Sequence, residues 1–392
     1  MKISQIRNET KGTKTSVHFN NAGAALMPDV VLETMKAHLD LEAQVGGYEA
    51  AALREKEAQN CYESIAKYLN CEAKNIALTT SATDGYSRAL SSIPFAAGDI
   101  ILTTESDYIS NHIAFLSLQK RFSIFVRSVP NDESGQIDVK EFEATIRKIN
   151  PKLVAVTHIP TNSGLIQPVE EIGQLCRKYD VLYMVDICQS VGQLPLNVQA
   201  IHCDFATATA RKFLRGPRGM GFMYISDKAL NAGFEPMFLD MRGADWVTEK
   251  SYRIKPTAMR YEDWEFSYSN ILGMGAAVEY MLEIDIENIE KRNQELCAYL
   301  IGKLKNIKGL KVVDNAPKLS SIVIVAFDKH SPSEIKEQLL KQHINTSISS
   351  RSSALIDFTK KNIIDALRIS PHYYNTNEEI DVLVAALEKL TK

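Results

Sequence analysis

Residues 183–190 read Tyr-Met-Val-Asp-Ile-Cys-Gln-Ser, an apolar run that ends on an acid, with a glutamine shortly after it. A carboxylate at the end of a buried strand is costly unless a cation or hydrogen-bond donors meet it. A protonated pyridine nitrogen is one such cation, and an aspartate beside it keeps the ring electron-withdrawing. An aspartate that caps the next helix gives the same local pattern. Further on, Lys212 stands in Thr207-Ala-Thr-Ala-Arg-Lys-Phe-Leu-Arg-Gly-Pro-Arg-Gly-Met-Gly221, after the end of a strand and before a Gly/Pro-rich turn. Cationic neighbours, here Arg211 and Arg215, lower an ammonium pKa, which favours imine chemistry. Thr209 and Arg211 offer a hydroxyl and a guanidinium to a phosphate. A basic surface turn would carry the same residues. The third segment, Thr79-Thr-Ser-Ala-Thr-Asp-Gly-Tyr86, leads a strand into small hydroxyl residues that open a helix. Backbone N–H groups and the helix dipole make such a terminus an anion site, although many turns of this composition bind nothing.

In this order and spacing the three segments resemble class V of the fold-type-I enzymes that use pyridoxal phosphate (PLP). That group includes cysteine desulfurases, isopenicillin-N-epimerase-like proteins and the ergothioneine C–S lyase. The resemblance runs from His18-Phe-Asn-Asn-Ala-Gly-Ala-Ala-Leu-Met-Pro28 to Arg368-Ile-Ser-Pro-His-Tyr-Tyr-Asn-Thr376, nearly the whole chain. It implies that Lys212 holds the cofactor as a Schiff base and that Asp186 partners the pyridine nitrogen. Gln189 and Asn162 are implied as donors to the phenolic oxygen. Ala82 and Thr83, completed by Thr209 and Arg211, match the phosphate cup. Tyr108, with His112 as fallback, is expected to stack on the ring. Arg368 matches the arginine that takes a substrate carboxylate, and Asn21 is expected on the substrate side. Tyr373 and Tyr374 are expected to pack rather than to react.

One departure bears on the reaction. Cysteine desulfurases carry a nucleophilic cysteine on a loop before the carboxylate-binding arginine. Here that region reads Ile348-Ser-Ser-Arg-Ser-Ser-Ala354, and the last cysteine of the chain is Cys297. A serine forms no persulfide, and Gly46-Gly-Tyr-Glu-Ala50 leans towards the epimerase-like and lyase branch. The expectation is therefore β-elimination at a C–S bond of a cysteine derivative. An aminotransferase or amino-acid epimerase is the alternative, and a non-catalytic binding protein with the same fold comes last. Arg351 is either a contact for a second carboxylate or a surface residue.

These residues need a scaffold. From about residue 75 short β-rich runs alternate with helix-period segments, the pattern of a mostly parallel sheet covered by helices. Strands are expected at Asn75–Thr80, Asp99–Thr104, Ser123–Val129, Leu153–His158, Val181–Asp186, Asp204–Thr209 and Gly221–Ile225. In such sheets ligands sit at the carboxyl ends of the strands, where Asp186 and Lys212 fall. A polar stretch, Met241–Glu265, precedes a long helical pattern from about Ile271 to Leu304, and a smaller α/β unit closes the chain. The expected fold is α/β of the aspartate-aminotransferase type. Its parts are an N-terminal segment (1–16), a large PLP-binding domain (17–255) and a small C-terminal domain (256–392).

Bulk properties narrow the remaining classes. A net charge of −3 supplies no positive field for nucleic acid or an anionic membrane. No apolar run approaches the ~18 residues of a membrane span, and Met1–Lys11 lacks the apolar stretch of a signal peptide. The six cysteines form no C-x-x-C pair and no zinc spacing, so no metal site is expected. A cytosolic protein follows as the default, and the resemblance adds a small amino-acid substrate and a homodimer.

Overall fold

The computed structural model describes residues 1–314, 316 and 318–392. Seven strands form the central sheet, in the order Ile76–Thr79, Gly221–Ile225, Phe205–Thr209, Leu182–Asp186, Leu153–Thr157, Ile100–Thr104 and Phe125–Val129. The last five run parallel to one another, while Gly221–Ile225 is antiparallel to both its neighbours. Every residue of Leu153–Thr157 and Phe205–Thr209 is buried, as helices on both faces require. One face packs Val154, Val156, Tyr183, Val185 and Ala206 into the largest apolar cluster. The other packs Leu153, Ala155, Met184 and Phe205 beneath helices Ala82–Ser92 and Ile109–Phe122. The alternation along each strand thus divides two cores.

The C-terminal unit is a four-stranded antiparallel sheet, Leu310–Val312, Val323–Phe327, Asp365–Ile369 and Ser347–Ser350 in spatial order. Helices Ile286–Leu304, Pro332–Lys341 and Asn377–Leu390 supply Leu300, Leu339 and Leu383 to its core. The N-terminal chain joins this unit. Val17–His18 pairs in parallel with Ile344–Asn345, Asn20 bridges to Ser370, and Phe19 is buried in the same cluster.

Three departures from expectation have local causes. The single helix expected from about Ile271 to Leu304 is two, Tyr268–Ile284 and Ile286–Leu304. Asp285 breaks it with φ +76° and caps the second helix by accepting from the Glu287 N–H. Within the polar stretch 241–265 a hairpin forms, Ala244–Thr248 against Ser251–Ile254. The expected boundary near 256 puts Tyr268–Ile284 in the small unit, yet this helix packs on helices Asp29–Val45 and Glu55–Leu69 beside the large sheet. Its Met274, Ala277 and Val278 are apolar and buried there, so burial outweighs chain order.

Candidate active site

Thr209, Asp186, Thr157 and Thr104 end four neighbouring parallel strands, and a cavity of about 260 Å³ opens beside these ends. Ala82, Thr83, Tyr108, Asp186, Gln189, Thr209, Arg211 and Lys212 all line it. The sheet therefore brings together eight of the residues that the sequence singled out. Asn162, Arg368 and Asn21 are not in its wall.

Asp186 is buried, and two donors meet it: the Cys188 N–H at Oδ1 (2.9 Å) and Asn111 Nδ2 at Oδ2 (3.2 Å). Burial raises its pKa, while Lys212 and these donors oppose the rise. Lys212 is buried too, and burial first pushes its ammonium below the ordinary range. Arg211 and Arg368 act in the same direction, whereas Cys188 and Asp186 oppose it. Arg215, expected beside Lys212, is occupied elsewhere. It donates to Leu26 O, Tyr373 Oη and Thr10 Oγ1 and lies against the rings of Tyr280, Tyr373 and Tyr374. Both tyrosines at 373–374 are thus packing residues, as expected. The Tyr108 ring centroid stands 5.9 Å from Lys212 Nζ. His112 is not in the wall and packs edge-on to Phe115.

At the anion end, Ser81 caps helix Ala82–Ser92 by accepting from the Asp84 N–H at 3.1 Å. The first-turn amides of a helix have no intrahelical partner and face outward. Gly221 lets this turn approach: a Cβ there would lie 2.4 Å from Ala208 O and 3.0 Å from the Ser81 carbonyl carbon. Thr209 Oγ1 donates to Met220 O at 3.3 Å, and Arg211 Nη1 donates to Gly23 O.

The substrate end departs from the sequence reading by one residue in two places. Asn162 turns away and donates to Ser353 O at 3.0 Å. Thr161 lines the cavity instead, its Oγ1 accepting from Gln189 Nε2 and from Arg368 Nη1, both at 2.8 Å. Asn21 donates to Ser370 O and His18 O and accepts from Tyr374 Oη, which uses it up structurally. Asn20, next to it, accepts from Arg368 Nη2 at 3.3 Å. Arg368 sits on Asp365–Ile369 of the small unit, its pKa pushed down to about 10 by burial and then by Arg211. Side-chain direction within a turn decides these positions, and residue type alone does not reveal it. Asn111 and Asp107 were equally hidden, since only the fold brings residues 107–111 against Asp186.

The residues present fit PLP. Gln189 Oε1 and Arg368 Nε are buried without a partner, a state that native structures rarely leave unexplained. A buried lysine faces a buried aspartate across one cavity, and a helix N-terminus with a guanidinium offers an anion cup. Among the described residues no group of His, Cys, Asp or Glu is arranged to hold a metal, and no helix is long and apolar enough to cross a membrane.

The family model for class-V aminotransferases matches residues 17–383. A probable cysteine desulfurase of Methanothermobacter thermautotrophicus is 26% identical over 100% of this chain and 98% of its own length. The apo structure of a cysteine desulfurase from Thermococcus onnurineus NA1 superposes with a TM-score of 0.92 at 22% identity, covering 99% of this chain and 98% of that one. A mutant of C-DES with glycine covalently linked to its PLP cofactor gives 0.87 at 21% identity, over 97% and 98%. The chain belongs to the class-V aminotransferase family. It is a PLP-dependent enzyme with the fold-type-I architecture. The expectation of a C–S lyase set apart from the desulfurases is overturned, because full-length relatives and solved neighbours are named cysteine desulfurases.

Proposed function

We propose that this enzyme cleaves the Cβ–S bond of L-cysteine in a desulfurase reaction, giving alanine and a persulfide on an acceptor thiol. The observation that carries the reading is the pairing of buried Lys212 and buried Asp186 across one strand-end cavity, in a chain with relatives named cysteine desulfurases. In this reading Lys212 holds PLP and moves the proton at Cα. Asp186 meets the ring nitrogen, Tyr108 lies on the ring, and the Thr161 hydroxyl, whose oxygen takes a hydrogen from Gln189 Nε2, donates to the phenolic oxygen. The Ala82–Thr83 amides, Thr209 and Arg211 hold the phosphate. Arg368 and Asn20 hold the substrate carboxylate, which fixes the amino acid over Lys212. Bound PLP supplies an electron sink for charge at Cα.

The sulfur has to leave the chain. Cys188 is the cysteine in the cavity wall, and burial beside Asp186 raises its thiol pKa far above the ordinary range. The thiolate is the nucleophile, so Cys188 is a poor acceptor and an external thiol takes the role. The step balances: the C–S bond breaks, the S–S bond of the persulfide forms, and Cβ takes up a proton.

A cytosolic homodimer belongs to the same reading. Phe238 and Trp246 are 84% and 81% exposed, apolar side chains that a partner subunit would cover. Light scattering of the holoenzyme tests it. For the activity, holoenzyme with L-cysteine and dithiothreitol should form alanine and sulfide in equal amounts, without pyruvate. No alanine above the cofactor-only background would overturn the reading.

A further inference from the structure

Asp107 is a buried carboxylate to which the reading above gives no task. Its Oδ1 accepts from Asn111 Nδ2 (3.0 Å), from the Tyr108 N–H (2.6 Å) and from Thr157 Oγ1, and its Oδ2 accepts from Thr103 Oγ1 (3.1 Å). The same Asn111 amide nitrogen also donates to Asp186 Oδ2 at 3.2 Å. An amide nitrogen carries two hydrogens, and here each goes to a different carboxylate. Were the amide flipped, its oxygen would face both carboxylates, so its orientation is fixed.

We propose that Asp107 is a positioning residue that acts through Asn111 and Tyr108 to fix Asp186 and its proton balance beneath the cofactor. The proposal rests on the reading of Asp186 as the partner of the ring nitrogen. Asp107 fixes two walls of the cavity at once, because its backbone donor is the Tyr108 N–H, and the Tyr108 ring stands over Lys212. Its negative charge also works on Asp186 in the same sense as burial, favouring a retained proton. The other titratable groups that face Asp186 are Lys212 from the turn after Phe205–Thr209, Cys188 from its own turn and Tyr86 from helix Ala82–Ser92. Lys212 opposes the effect of Asp107, and burial keeps the phenol of Tyr86 protonated.

A merely structural Asp107, tying two strand ends to a helix, would matter for stability alone. The test is a pH titration of the visible absorbance of bound cofactor, with thermal melting in parallel. Removing a negative charge lowers the proton affinity of neighbouring bases, so Asp107→Asn should lower the titration midpoint by about one unit. Asn111→Ala removes a donor from Asp186, which becomes more basic, and should raise the midpoint. This second variant keeps the test open if Asp107→Asn does not fold. Thr103→Val removes one hydrogen bond from Asp107 but not its charge, and should leave the midpoint in place. Midpoints equal to wild type in Asp107→Asn and Asn111→Ala, with stability alone reduced, would overturn the proposal. Cofactor absorbance and turnover left unchanged by Asp186→Asn would instead overturn the Asp186 reading beneath it.

Discussion

Arg368 Nη1 donates to Thr161 Oγ1 at 2.8 Å, and through that hydroxyl the small unit reaches Gln189 on the floor of the cavity. The arginine thus arrives positioned from both sides, with Asn20 at Nη2 and a buried Nε left over. A lysine reproduces the charge and not the planar fork. Arg368→Lys should raise KM for the amino acid about tenfold or more, equal to ~1.4 kcal/mol of binding, with a smaller change in kcat. An unchanged KM would mean that the carboxylate binds elsewhere.

Asp186→Asn keeps shape and loses charge. The neutral amide cannot hold a protonated ring nitrogen, so cofactor should still bind while kcat falls by several powers of ten, each worth ~1.4 kcal/mol of barrier. Steady-state rates on cofactor-saturated protein check this. A mutant within threefold of wild type would assign the role to another group.

Gly221 permits the close approach of the Ser81–Ala82 turn. In Gly221→Ala the new Cβ meets backbone on both sides, an overpacking that costs about 1–3 kcal/mol. Thermal melting should show the loss, and equilibrium dialysis should show weaker cofactor retention, because the displaced turn belongs to the anion cup. Melting and affinity equal to wild type would place the cup elsewhere.

The buried histidines contribute stability that is lost as pH falls from about 6.5 to about 4. Burial pushes His158 from its ordinary 6.5 down to about 4, and it lowers His18 and His372 as well. In this window the unfolded chain binds protons that the folded chain refuses, so stability rises with pH by up to about 1.4 kcal/mol per unit for each such histidine. Denaturant titrations at pH 7 and pH 5 measure the slope. His158 contacts Ser190 Oγ at 2.9 Å, and His158→Gln should flatten the slope by one histidine's share. An equal slope in both proteins would contradict the assignment.

The sequence was legible where side-chain chemistry and strand period act together. All seven central strands fall where apolar β-rich runs predict them, because a strand buried on both faces leaves a continuous apolar signature. Asp186 ends a strand and Lys212 and Gln189 stand three residues past one, which puts all three in the cavity wall, while the role of Gln189 is implied by the family resemblance alone. Asn162 and Asn21 were not legible, because a one-residue difference inside a turn reverses which side chain faces the cavity. Arg215 misled because charge in the sequence says nothing of the aromatic cage that absorbs it. The break at Asp285 depends on a left-handed residue that periodicity does not display.

The central claim is that Lys212 holds the cofactor opposite Asp186. Borohydride reduction of the purified holoenzyme, followed by proteolysis and mass mapping, tests it most directly. A single peptide should carry the reduced cofactor mass, with the label on Lys212 and absent from Lys212→Ala protein. Label on any other lysine of the wild-type enzyme would contradict it.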